Sequence, residues 1–232
     1  MRYDKDLVPY IEKDEFDDIA KDILQDHCPE VFSQARPLPI DKLVAGLGLQ
    51  VKYVHLSDDL AYLGQICFTP GLVDIYRPET DEYVQEEFDE GDILIDPQVA
   101  VQRNKASSDF TIVHECVHNC LHAPHYQLKL ALGRSKMAVA HRCPTEYEKR
   151  KRSWTKEDRM EWQADAIAGA ILMPRPTFIQ QAKMARENFK QIFGDNHCLL
   201  FEMLVEDMAR VYRVSKAAAS LRIKTLCPEL AC

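Results

Sequence analysis

Apolar residues recur at helical spacing along much of the chain, and this pattern predicts a mainly helical protein. In the first such stretch Phe16, Ile19 and Ile23 are spaced so that they lie on one face of a helix. A turn near Val214 and Ser215 is expected to separate the last two helices. Helices are predicted over residues 12–24, 38–48, 109–122, 156–173 and 177–190, with two more within 199–226.

Shorter runs between these helices predict strands. LQVKYVHL (49–56) alternates between apolar and polar residues, and DILIDP (92–97) ends the series. YLGQICF (62–68) and LVDIY (72–76) flank TPG, which is a turn signal. The acidic stretch 79–92 indicates a solvated surface loop, with a docking face for a basic partner as the alternative. The fold class is therefore α+β, with a small sheet of about three strands.

Composition narrows the classes of protein that fit. The chain has 232 residues and a formal net charge of -8, which argues against nucleic-acid binding as its main task. Its eight cysteines include no CxxC pair, and MRYDKDLVPYIEKDEFDD at the start lacks the apolar core of a signal peptide. No apolar run is long enough to span a bilayer. We therefore expect a cytoplasmic protein with free thiols.

Residues 114–122 read HECVHNCLH and contain HExxH, the known signature of zinc metallopeptidases. In a helix His114 and His118 are separated by about 40° of rotation and roughly 6 Å of rise, so both rings project from one face. Two ring nitrogens can then meet one zinc ion about 2 Å away. Glu115 is placed to reach a water on that ion without binding the ion. The motif alone is weak support, because an exposed helix with solvated histidines gives the same pattern.

RMEWQADAIAGAILMP (159–174) supplies the third protein ligand that a catalytic zinc site needs. Glu161 and Asp165 stand four residues apart and share a helix face. The small residues of this helix allow close approach to a neighbouring helix. Glu161 can then reach the metal, while Asp165 accepts a proton from the second nitrogen of a ligating histidine. The predicted metal ligands are His114, His118 and Glu161, for Zn2+ or, as the alternative, Mn2+.

Three other residues of the motif are not expected to bind the metal. His122 lies eight residues past His114, roughly 80° round and 12 Å along the helix, so it is interpreted as a packing or pocket-wall histidine. Cys116 and Cys120 point to the opposite side from the histidines and are interpreted as small buried apolar side chains.

The two blocks FTIVHECVHNCLH and EWQADAIAGAILMP, with the tail VYRVSKAAASLRIKTL, resemble the ImmA/IrrE family of cytoplasmic metallopeptidases. The resemblance implies a zincin-like peptidase fold whose sheet packs beside the HExxH helix. It implies a gluzincin-like site in which His114, His118 and Glu161 bind zinc and Glu115 is the general base. It also implies a substrate, namely a helix-turn-helix transcriptional repressor that is cleaved to derepress stress or mobile-element genes.

The chain departs from the family pattern in two places. Members often carry a Leu-Gly pair within HExxH, where this chain has Cys116 and Val117. The connection before Glu161 is long and carries EKRKR (148–152) within the polar segment 142–159, which bears on substrate access and identity.

The C-terminal segment offers an alternative function. We expect a peptidase domain over residues 1–190 and a helical segment over 191–232. Within it VYRVSKAAASLRIKTL resembles the turn and second helix of a helix-turn-helix, with positive charges at Lys216, Arg222 and Lys224. The alternative is a regulator that binds DNA or a partner protein and cleaves nothing. It is not favoured, because phosphate contacts need a broad basic surface and the protein is acidic.

Overall fold

The computed structural model describes residues 1–133, 139–142 and 154–231. Most of the basic segment 142–159 lies outside the described residues. The helices are α1 (Phe16–His27), α2 (Ile40–Gly46), α3 (Lys105–Ala131), α4 (Lys156–Leu172), α5 (Arg175–Phe193), α6 (His197–Tyr212) and α7 (Lys216–Leu226). The strands are β1 (Arg2–Tyr3), β2 (Pro9–Tyr10), β3 (Gln50–Tyr53), β4 (Gly64–Cys67), β5 (Gly71–Arg77), β6 (Glu82–Phe88), β7 (Asp92–Ile95) and β8 (Val139–Arg142).

The main sheet has four strands in the order β3-β7-β4-β8 within the described part of the chain. The β3 and β7 strands are parallel, and β4 runs antiparallel to both of its neighbours. Two short hairpins, β1–β2 and β5–β6, complete the β structure described. The predicted α+β class, mainly helical with a small sheet, is confirmed, although this sheet has one strand more than the three or so expected.

The two faces of the main sheet pack against different elements. Ile66 and Ile93 face one side, in a core cluster with Ile112 and Cys116 of α3. Residues that alternate with them along the strands, such as Cys67, face the other side and pack with the β5–β6 hairpin. The HExxH helix is thus fixed on the sheet by its apolar side, as expected for the buried thiol of Cys116.

The contacts divide the chain into two compact units. The first contains Met1–Phe16 and Ile40–Ala168, and therefore the sheet, α2 and α3. The second contains Asp17–Pro39 and Gly169–Cys232, and therefore nearly all of α1 together with α5, α6 and α7. Apolar residues fill the interior of the second unit, among them Leu24, Phe178, Leu204, Tyr212 and Ile223. The domain boundary expected after residue 190 stays a prediction.

The acidic stretch differs from the sequence-based expectation, because part of it is a strand. The β6 strand pairs along its whole length with β5, with Asp74 opposite Gln85 and a hydrogen bond between their side chains. Val84 is half-buried and Phe88 is buried, while Gln85 and Glu87 between them are exposed. Less exposed and more exposed residues thus alternate along β6, as is typical of a strand, but the many acidic residues of this stretch led to the prediction of a loop.

The start of α3 also differs from the expectation. The helix was predicted to begin at residue 109, yet α3 begins at Lys105, and the side chain of Asn104 accepts a hydrogen bond from the backbone N–H of Ser107. Asn is one of the residues preferred at the N-cap of a helix, so the usual capping preference is met about one turn earlier than the predicted start.

Within the described residues no helix combines the length and apolar character that crossing a membrane requires. The expected cytoplasmic location stays a prediction.

Candidate metal centre

Helix α3 carries the HExxH residues on a stretch that is entirely buried. His114, Glu115 and His118 have no exposed surface. The Nε2 atoms of His114 and His118 lie 3.0 Å apart, because a separation of four residues stacks the two rings on one face. This helix alone therefore directs two ring nitrogens at one point.

Helix α4 brings a carboxylate to the same point. The two oxygens of Glu161 lie 3.2 Å from the Nε2 atoms of His114 and of His118. Met160 and Ala164, on either side of Glu161 in the sequence, are buried, which seats this part of α4 within its unit. Among the described residues, these three form the one group of side chains that could share a metal ion.

The spacing of these atoms fits a zinc ion. Ligand atoms about 2.0–2.1 Å from a tetrahedral zinc lie about 3.3 Å from one another. The observed separations of 3.0 to 3.2 Å are close to that value. Two imidazole nitrogens and one carboxylate are also a donor set that catalytic zinc sites use, with the fourth position left for water or substrate.

Asp165 holds the ring of His114 from its other side. The Nδ1 atom of His114 lies 2.9 Å from the Oδ1 atom of Asp165. Burial lowers the pKa of His114, but the carboxylates of Asp165 and Glu161 outweigh burial and raise the pKa to about 9. The structure thus brings together all four residues predicted as ligands or as their support, and their roles stay predictions.

The other groups of the cluster respond to burial and to these charges. Burial raises the pKa of Glu161, yet His118 and His114 outweigh it, and the net pKa lies below the usual range. Burial lowers the pKa of His118. The carboxylate of Glu161 therefore stays ionised at neutral pH, and His118 stays neutral, so that one of its ring nitrogens carries no proton.

Glu115 lies beside the main sheet. A Cβ atom added to Gly64 of β4 would lie 3.2 Å from the Oε1 atom of Glu115 and 2.5 Å from the Cγ2 atom of Thr111. Only a glycine leaves room for β4 to approach α3 this closely. This contact confines the carboxylate predicted to be the general base.

The thiols near the motif stay protonated at neutral pH. Cys116 is buried in the core, and Cys120 is half-buried. Burial raises the pKa of Cys120 to about 11 and that of Cys67 to about 12. Protonated thiols are poor metal ligands, which agrees with the interpretation of these residues as packing side chains.

His122 is buried and contacts one of the predicted ligands. Its Nδ1 atom lies 3.0 Å from the Nδ1 atom of His118, and its Nε2 atom lies 3.0 Å from the Oε1 atom of Gln163. The Nε2 atom of Gln163 in turn lies 3.0 Å from the carbonyl oxygen of Pro9. The sequence-based interpretation missed Gln163 and Pro9. A glutamine within the buried stretch of α4 was a signal, but nothing marked Pro9.

The positive charges of α7 are engaged within the second unit. Arg222 is paired with Asp17 and donates to the backbone carbonyl of Met173. Lys216 is paired with Glu206. The ammonium group of Lys224 lies 5.7 Å from the centre of the Phe201 ring. These charges therefore have partners inside the protein.

An HExxH helix on a small mixed sheet, with a glutamate supplied by a second helix, defines a zincin-like peptidase fold with a group that could hold a metal. The family model of the M78 peptidases, described as IrrE N-terminal-like domain, matches residues 83–224. The match covers more than half of the chain, so the chain belongs to this peptidase family, and the expected resemblance is confirmed. A comparison with curated proteins finds no match.

Proposed function

We propose that the protein is a zinc-dependent endopeptidase that cleaves a transcriptional repressor or a similar regulatory protein. The observation that carries the proposal is the convergence of the Nε2 atoms of His114 and His118 with the carboxylate of Glu161, at separations of 3.0 to 3.2 Å. Three protein donors suit a catalytic zinc site, whereas structural zinc sites are closed by four. The peptidase family supplies independent support.

His114, His118 and Glu161 would hold the metal, with Asp165 orienting His114. A bound zinc ion supplies Lewis-acid chemistry, since it polarises a carbonyl and lowers the pKa of water towards about 7. Glu115 carries the proton transfer: its carboxylate takes a proton from the attacking water and gives it to the leaving amine. Its burial against Gly64 limits the positions that the carboxylate can take.

The substrate class rests on the family resemblance, which implies a helix-turn-helix repressor. The competing function, DNA binding through α7, is disfavoured by the internal partners of its charges. Arg222, the most buried of them, would have to leave Asp17 and the carbonyl of Met173 to reach a phosphate. A net charge of -8 adds to the cost of approaching DNA.

The first test is metal content, measured by elemental analysis of the wild type, Glu161→Ala and Glu115→Gln. We expect about one zinc per chain in the wild type, the same in Glu115→Gln, and loss or strong weakening in Glu161→Ala. A folded wild type that takes up no transition metal after reconstitution with zinc would overturn the enzyme proposal.

The second test identifies the substrate and the role of Glu115 together. Host cells that produce the wild type are compared with cells that produce Glu115→Gln, and new protein N-termini are identified by mass spectrometry. We expect a new terminus inside a helix-turn-helix repressor in the wild-type cells alone. Equal cleavage by the variant would contradict the proton-transfer role, and cleavage of unrelated proteins would contradict the substrate class.

A further inference from the structure

We propose that His122 and Gln163 are positioning residues, which hold the ring of His118 in the orientation that metal binding requires. The inference rests on the proposed metal site and adds residues outside the HExxH motif and the third ligand. It follows from the direction of a buried chain of hydrogen bonds, which begins at the backbone carbonyl of Pro9 and ends at His118.

The chain of hydrogen bonds has three links of equal length. The distances from Pro9 O to Gln163 Nε2, from Gln163 Oε1 to His122 Nε2, and from His122 Nδ1 to His118 Nδ1 are each 3.0 Å. The side chains of Gln163, His122 and His118 are all fully buried. Because buried polar atoms are costly without partners, each link has to be a real donor–acceptor pair.

The direction of the chain is set at the end far from the metal. A backbone carbonyl only accepts hydrogen bonds, so Pro9 requires the NH2 group of Gln163 to face it. The carbonyl oxygen of that amide then faces His122 and can only accept. His122 must therefore carry its proton on Nε2 and donate it to Gln163.

The proton position on His122 determines the tautomer of His118. With a proton on Nε2, a neutral His122 has a bare Nδ1 that can only accept. The Nδ1 atom of His118 has to donate to it, which leaves the Nε2 atom of His118 without a proton. That Nε2 atom is the one that lies 3.2 Å from Glu161 at the candidate metal position. The hydrogen-bond chain thus leaves a lone pair on the Nε2 atom of His118, which is the atom that a metal would bind.

The two histidines are oriented by different means. Asp165 accepts from the Nδ1 atom of His114 directly, through a charged carboxylate. His118 has a neutral chain of two side chains and one backbone carbonyl instead. Partners that fix the ring of a metal-ligating histidine typically contribute roughly 10- to 100-fold to metal affinity. We expect the hydrogen-bond chain through His122 and Gln163 to contribute a factor of that size.

The experiment measures zinc affinity by chelator competition for the wild type, His122→Phe and Gln163→Met. We expect both variants to bind zinc roughly 10- to 100-fold more weakly. We also expect the visible spectrum of the cobalt-substituted variants to change, because the ring of His118 is no longer held. His125→Phe is the control: His125 is also buried on α3 and also hydrogen-bonded to a backbone carbonyl, that of Asp6, at 2.7 Å.

The outcomes separate this inference from the proposed function. A wild type that binds no zinc overturns both. Wild-type affinity and an unchanged cobalt spectrum in His122→Phe overturn the positioning role and leave the zinc site standing. An equal loss of affinity in His125→Phe also overturns it, since the loss would then follow from any buried hydrogen bond on α3.

A measurement on the wild type decides the question if the variants do not fold. Nitrogen-15 NMR of the histidine rings in the zinc-loaded protein reports which nitrogen carries the proton. We expect the proton of His122 on Nε2 and the proton of His118 on Nδ1. A proton on the Nδ1 atom of His122 would reverse the chain and overturn the inference.

Discussion

Gly64 shows how a single residue can set the distance between the sheet and the HExxH helix. With an alanine there, the new methyl group would meet Thr111 Cγ2 at 2.5 Å, so α3 or β4 would have to move. Glu115 lies against the same spot. A packing requirement and a catalytic requirement therefore meet at one glycine.

We predict that Gly64→Ala lowers the free energy of unfolding by about 1–3 kcal/mol, the usual cost of overpacking. It should also reduce peptide cleavage, because Glu115 is displaced. Gly169→Ala in α4 is the matched control. Nothing lies within 4 Å of its new methyl group, and the gain in helix propensity should raise stability by about 0.5–1 kcal/mol. Urea unfolding measures both, and a Gly64→Ala protein as stable as the wild type would contradict the prediction.

The ionisation of His114 predicts how zinc binding depends on pH. In the metal-free protein its pKa is raised to about 9, so a zinc ion must displace a proton from the ring at lower pH. Apparent zinc affinity should therefore rise from pH 6.5 to about pH 9 and then level off. The same raised pKa stabilises the metal-free fold fully below pH 6.5, and this stabilisation is lost as the pH rises through about 9.

Chelator competition across this pH range measures the effect. In Asp165→Asn the rise should level off at a lower pH, because the carboxylate that raises the pKa of His114 is gone. A wild-type affinity that does not change with pH would count against a protonated His114 in the metal-free site.

At the residue scale, spacing predicted which side chains share one face of a helix. Two residues four apart on a helix share a face whatever the rest of the fold does, which is why His114 with His118, and Glu161 with Asp165, could be paired from the sequence. The hydrogen-bond chain through His122 could not be predicted, because its direction depends on Pro9, which lies 154 residues from Gln163 in the sequence.

At the scale of elements, α7 is held in place by a charged side chain as well as by apolar packing. Arg222 pairs with Asp17 of α1, and its Nε and Nη2 atoms lie 3.2 Å and 3.0 Å from the carbonyl oxygen of Met173. That carbonyl lies just past the end of α4, where backbone acceptors lack helical partners and a positive charge is favourable.

We predict that Arg222→Gln lowers the free energy of unfolding by about 1–3 kcal/mol, the cost of leaving hydrogen-bonding groups that are largely shielded from water without their partner. Lys224→Gln on the same helix should have little effect, since the contact described for its charge is with the aromatic ring of Phe201. Thermal unfolding is measured for Arg222→Gln, Lys224→Gln, Asp17→Asn and the double variant of Arg222 and Asp17. The comparison gives the coupling free energy of the ion pair. Strictly additive effects of Arg222→Gln and Asp17→Asn would contradict a coupled ion pair.

Element prediction succeeded where apolar periodicity was strong and failed where charge obscured it. Helix α4 was predicted over residues 156–173 and is observed over Lys156–Leu172. The β6 strand was missed, although Val84, Glu86 and Phe88 are the less exposed residues of an alternating pattern. Pairing with β5 stabilises it, through contacts such as that between Arg77 and Glu86, and a partner strand is invisible to local periodicity.

At the scale of the whole molecule, the sequence predicted the fold class and the family but not the two compact units. Local patterns identify helices one at a time. They do not reveal that Asp17–Pro39 belongs with Gly169–Cys232, because only tertiary packing brings these segments together. The ion pair between Arg222 and Asp17 joins residues that are 205 positions apart.

This discontinuity has a consequence for the newly made chain. Asp17–Pro39 is synthesised 130 residues before Gly169, the first residue of the rest of its unit (169 less 39). At about 5–20 residues per second, a ribosome needs roughly 6.5 to 26 s for that stretch. During that time α1, which carries the buried residues Ala20 and Leu24, lacks the part of its unit that begins at Gly169. The last residue of the first unit is Ala168. The centre that holds His114 and Glu161 can therefore assemble while the ribosome is still translating Gly169–Cys232, the remainder of the second unit.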